Sequence, residues 1–161
     1  MKLSKDFTKY IPILLILIIS YIIITFTFDK INENNAIEIT NKFLTNVGNN
    51  KPKDVANLFC DNSVLIATVS QIKRTKQDIE KYFDYFANLP NIHVIEKDFN
   101  IIKVSNNVYI NNAFVKLSWD NLVEPVIARM TFIIKGNCIL QLHSSGLPDF
   151  NENLYKISGR S

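Results

Sequence analysis

Arg129 and His143 are the side chains most capable of chemistry in this chain, and both lie in its C-terminal third. Arg129 falls in an apolar run, residues 126–134, where alternation groups it with Ile127, Thr131 and Ile133 on one face of a strand. A guanidinium among apolar neighbours requires an anion. That anion is either a ligand carboxylate or phosphate, or an internal partner such as Glu96, Asp98 or Asp120, and the internal pair is the preferred reading. His143 ends a second apolar run and is followed by Ser144, Ser145, Gly146 and Pro148. On the strand pattern it shares a face with Gln141 and Ile139. An imidazole at a cavity mouth can act as a general base near neutral pH. It would need a second acid or an orienting carboxylate, which the spacing does not supply. The preferred reading therefore has His143, Ser144 and Ser145 finishing a strand and supporting a subunit interface. Trp119, Tyr82, Tyr109 and Tyr85 are candidates for a pocket wall, although aromatics on strands and helical stripes usually belong to a core. The candidate ligand-binding set is Arg129, His143, Trp119, Tyr82 and Tyr109, with His143 as the sole catalytic candidate.

Other chemistries lack their residues. Only His93, His143, Cys60 and Cys138 could supply soft or borderline metal ligands, and they are widely spaced, so no metal site is expected. The two cysteines are read either as a disulfide, if the domain is exported, or as small buried hydrophobes, the latter preferred. No glycine-rich phosphate loop or dinucleotide fingerprint is present, so no nucleotide cofactor is expected. Of the net charge of +3, most comes from Lys2, Lys5 and Lys9 set against Asp6. No basic stripe interleaved with aromatics follows, and Lys73, Arg74 and Lys76 read as a solvated loop, so nucleic acid is not an expected partner.

The elements that must position these residues begin with an apolar segment. Residues 10–28 carry no charge, and as a helix they would span about 28 Å, the hydrocarbon thickness of a bilayer. No small-residue cleavage site follows, so a retained transmembrane anchor is favoured over a cleaved signal peptide. Lys2, Lys5 and Lys9 precede the segment, whereas Asp29, Lys30, Glu33 and Glu38 follow it, which puts residues 1–9 in the cytoplasm and the rest across the membrane. Residues 29–35 read as a polar linker. Helical spacing then resumes from Ala36 to Val47 and closes at Gly48, and a short helix follows from Pro52 to Phe59 or Cys60. A strand is expected over 64–69, bounded by Asp61, Asn62 and Ser63. A helix capped by Thr75 carries Ile79, Tyr82, Phe83 and Phe86 on one face and stops at Leu89-Pro90. Long strand-like runs over 93–104, 109–119, 126–134 and 138–143 complete the pattern, separated by turn-forming residues. The sum is an α+β fold in which helices wrap one face of a curved antiparallel sheet.

That order resembles the nuclear transport factor 2-like cone fold. The residues Val64 to Ser70, Arg74, Ile79-Glu80-Lys81-Tyr82-Phe83, Phe86, Arg129 with Thr131 and Phe132, and His143-Ser144-Ser145-Gly146 with Pro148 are similar to one branch of it. That branch holds the calcium/calmodulin-dependent protein kinase II association domain and SnoaL-like stand-alone relatives. The likeness covers residues 36–148 and leaves 149–161 as a tail. Two departures stand out: Gly136-Asn137-Cys138 lacks the aromatic common in that turn, and Leu142 replaces a histidine or aromatic before His143. The resemblance implies a cavity closed by three helices, homo-oligomerisation through the sheet, and ligand binding or scaffolding. The alternative it carries is an isomerase, dehydratase or cyclase using acid–base chemistry in the cone. A small anionic ligand is the expected occupant if Arg129 faces the cavity.

Overall fold

One helix, α1, runs without a break from Phe7 to Gly48. The expected linker at 29–35 is therefore helical. It contains neither Gly nor Pro, and extending an existing helix costs far less than nucleating a new one. Because the helix starts at Phe7, Pro12 lies inside it and not in its first turn. From Tyr10 to Thr27 every residue is exposed, whereas Ala36, Ile39, Phe43 and Leu44 are buried against the rest of the domain. The left-handed residue after the helix is Asn50 (φ 54°), not Gly48, and Lys51 N–H donates to the Asn46 carbonyl at 2.9 Å. The computed structural model describes residues 7–67, 72–87 and 89–146.

Helix α2, Pro52–Asn57, ends earlier than expected, because strand β1 already begins at Phe59 and runs to Ile66. Asp61, Asn62 and Ser63, expected to bound the strand, lie within it as an irregularity in its register. The expected end of that strand at Val69 lies outside the described residues. Helix α3, Lys76–Ala87, starts as expected: Asp78 N–H donates to Thr75 Oγ1 at 3.1 Å, and the Thr75 hydroxyl donates to the Asp78 carboxylate at 2.8 Å. Four long strands follow: β2, His93–Ser105; β3, Val108–Ser118; β4, Val126–Lys135; and β5, Cys138–Gly146.

The five strands form one sheet in the order β1-β5-β4-β3-β2, antiparallel except that β1 runs parallel to β5. Cys60 of β1 and Cys138 of β5 are joined by a disulfide, which corrects the reading of both as unpaired core residues. Nothing in the spacing of the two cysteines revealed that β1 would cross over to lie beside β5.

Helices and sheet enclose a core centred on Phe43, whose ring meets Phe59, Phe83 and Phe132 edge-on at centroid distances of 6.3, 5.3 and 5.2 Å. One polar link crosses that core. Asn111 Nδ2 of β3 donates to Thr40 Oγ1 of α1 at 2.9 Å, and the Thr40 hydroxyl donates to the Ala36 carbonyl one turn earlier. Both side chains are fully buried, so the bond fixes where along the sheet α1 sits.

Candidate functional site

The inner face of the sheet is set by parity. On β4, Ala128, Met130, Phe132 and Ile134 point to the helices; on β3, Tyr109, Asn111, Ala113, Val115 and Leu117 do so. Near the Leu117 end of the sheet the inner residues of β4 and β5 include the small Ala128, Ser144 and Gly146, and the helices do not fill the space. A cavity of about 250 Å³ remains there. Phe43, Leu44 and Val47 of α1 form one wall, and Tyr82 and Phe83 of α3 form another. Leu117, Trp119, Ala128 and Met130 make its floor, and Leu142, Ser144 and Gly146 of β5 close it.

The lining is apolar almost throughout. The Tyr82 phenol, the Trp119 indole N–H and the Ser144 hydroxyl are its only polar side-chain groups among the described residues. No carboxylate, imidazole, ammonium or guanidinium lines it among those residues. Such a space favours burial of a neutral apolar molecule and penalises a charged one, whose lost hydration nothing would replace.

Of the residues singled out from the sequence, Tyr82 and Trp119 meet at this cavity. Tyr109 does not: it is buried in the core nearer the other end of β3. The Tyr85 and Phe86 side chains lie outside the described set. Arg129 is corrected outright. It does share a face with Ile127, Thr131 and Ile133, but that face points away from the helices. Its guanidinium lies 5.7 Å from the centre of the Phe114 ring, and among the described residues no carboxylate is within ion-pair distance of it. Of its supposed partners, Asp98 sits on the same outer row opposite Phe114, and Asp120 accepts a hydrogen bond from Asn91 Nδ2. With no cation in the described lining, the anionic ligand expected from Arg129 loses its basis.

His143 is corrected too. A bulge at Leu140 shifts the β4–β5 register, so Ile139 and Leu142 both turn inward while Gln141 and His143 turn outward. His143 stands exposed opposite Thr131, with no access to the cavity. Because of the same shift Ser144, read from the sequence as a strand-end hydroxyl, faces the cavity instead. Sequence reasoning passed over Ala128, Met130 and the C-terminal turns of α1 as cavity residues. The signal was there in β4, whose even-numbered residues include Phe132 and Ile134 and carry no charge between 126 and 134.

No protein-family model matches the chain, and no curated protein matches it. Solved structures do. A candidate calcium/calmodulin-dependent protein kinase II association domain from Xanthomonas campestris superposes with a TM-score of 0.59 at 22% identity, covering 71% of this chain and 86% of its own. A candidate dehydratase of the nuclear transport factor 2-like family from Streptomyces avermitilis gives 0.65 at 8% identity, covering 74% of this chain and 98% of its own. A protein with a ketosteroid isomerase-like fold from Catenulispora acidiphila, in complex with trimethylamine, gives 0.53 at 13% identity, covering 66% and 83%. These likenesses agree with the strand order and helix placement described above, and the chain has the nuclear transport factor 2-like fold.

Proposed function

We propose that this chain is a membrane-anchored, self-associating domain whose cone cavity binds a small neutral apolar molecule. The observation that carries the ligand reading is the cavity of about 250 Å³ with no charged group in its described lining. An apolar cavity of about 150 Å³ suffices for benzene. The larger space here suits a molecule of one or two fused rings, with Ser144, Trp119 and Tyr82 as the polar residues of its described wall. The enzyme alternative, acid–base isomerisation or dehydration, needs a proton-transfer group facing the ligand. Among the described lining residues only the Tyr82 and Ser144 hydroxyls are present, which favours binding over catalysis.

Anchoring draws support from one helix near the N-terminus, long and apolar enough to cross a membrane and exposed from Tyr10 to Thr27. The three N-terminal lysines favour a cytoplasmic N-terminus, and the Cys60–Cys138 disulfide favours an oxidising compartment for the domain. Self-association draws support from the association-domain neighbour and from the outer sheet face, treated below.

Calorimetric titration of a fragment covering residues 32–161 tests the ligand reading. Indole is expected to bind at least about tenfold more tightly than benzoate, because nothing in the lining compensates a buried carboxylate. Ala128→Phe, which fills the floor, is expected to abolish indole binding while the fragment keeps its circular dichroism. Equal binding of benzoate and indole by the folded fragment would refute it.

A further inference from the structure

The unbroken course of α1 separates the cavity from the end of the apolar segment. From Asp29 to Val47 the helix contains neither Gly nor Pro, so it has no cause to kink. Of its residues, Phe43, Leu44 and Val47 line the cavity, whereas the apolar segment ends at Phe28. Measured along the helix axis, those three stand about 23–28 Å from Phe28. At a tilt of about 40°, the upper end of the range for membrane helices, α1 would still hold them about 17 Å above that level. The headgroup layer on one side of a bilayer is about 6 Å deep.

The stretch between offers no apolar path along α1. Residues 29–35 are polar except for Ile31. Next come Ala36, Ile39 and Thr40, which are buried in the core and do not line the cavity. Thr40 is bonded to Asn111, and Phe43 meets Phe59, Phe83 and Phe132 edge-on, so packed core lies on the side of the cavity that faces the span. The cavity itself sits at the far end of the helix. There α1 stops at Gly48, which lies against the carbonyl of Ile92, another lining residue.

We infer that the cavity takes its ligand from water and not from the bilayer. The occupant is a small neutral apolar molecule dissolved in the compartment that the domain faces, not the acyl chain of a membrane lipid. An acyl chain would have to leave the bilayer and cross about 10 Å of water beside the polar stretch of α1, with its methylenes exposed. This rests on the ligand reading above and on the reading of residues 10–28 as a span.

The test uses the full chain reconstituted in phosphatidylcholine vesicles. Trp119 is the only tryptophan and lines the cavity, so its emission reports on the occupant. Free bromobenzene, a neutral ring carrying a heavy-atom quencher, is expected to quench Trp119 saturably. Ala128→Phe, or Ala128→Leu where the larger ring prevents folding, is expected to remove the saturable part. Vesicles made from phosphatidylcholine brominated along its acyl chains are expected to leave Trp119 emission unchanged. Quenching by the brominated lipid would overturn the inference, whether or not the Ala128 variants remove it. Absence of saturable quenching by bromobenzene would end the ligand reading, and release of the chain by an alkaline carbonate wash would end the span reading. Either result takes the inference with it.

Discussion

Asp61 and Lys76 form an exposed ion pair at 2.9 Å between β1 and the first turn of α3. The ammonium lowers the Asp61 pKa, first by its hydrogen bond and then by its charge, against a small opposing effect of desolvation. A carboxyl whose pKa is depressed in the folded state contributes stability above its unfolded value, and that contribution is lost as pH falls through the folded value. We expect NMR titration to place the Asp61 midpoint below the ordinary aspartate value, and Lys76→Met to return it upward. Added salt should raise it as well, since the pair is open to solvent. A midpoint indifferent to both changes would refute the assignment. At this scale local chemistry was readable in the sequence wherever partners are close along the chain. Thr75 and Asp78, three residues apart, cap α3 as their types suggest. Arg129 was not readable, because alternation says which residues share a face but not which face meets the helices.

The elements show the same division. Helices α2 and α3 and strands β2 to β4 lie close to where periodicity and turn residues put them, since each is determined by its own apolar spacing. The bulge at Leu140 depends on how β5 fits β4, and no residue in 138–146 announces it. The parallel placement of β1 is likewise a property of the assembled sheet. β1 pairs with β5 only at Phe59 and from Val64 to Ile66, and its first half is tied to β5 by the Cys60–Cys138 link and by the Ile139 N–H, which donates to the Leu58 carbonyl at 2.8 Å. That link bridges a sequence separation of 78 residues. Cys60→Ala with Cys138→Ala is expected to cost about 2–4 kcal/mol in denaturant unfolding of residues 32–161. An unchanged unfolding midpoint would show that β1 is held by the sheet alone.

For the whole molecule, the open question is what covers the outer face of the sheet. Ile102, Phe114 and Ile127 are 49%, 52% and 37% exposed there, and Arg129 lies over Phe114. Exposed apolar side chains along a sheet face suit a self-complementary contact. Light scattering on residues 32–161 is expected to give a dimer or larger species at micromolar concentration, and Phe114→Glu to give a monomer. A strictly monomeric unchanged fragment would end the self-association reading. The continuity of α1 then sets the spacing of the membrane segments. Two copies paired through their outer faces place their sheets about 10 Å apart, and each α1 lies about another 10 Å beyond its own sheet. The two spans would enter the bilayer about 30 Å from one another, three helix widths, with lipid between them. Such a dimer stands on the membrane like a trestle on two separate legs, each needing only to suit lipid, as the unbroken isoleucine and leucine of residues 13–19 do.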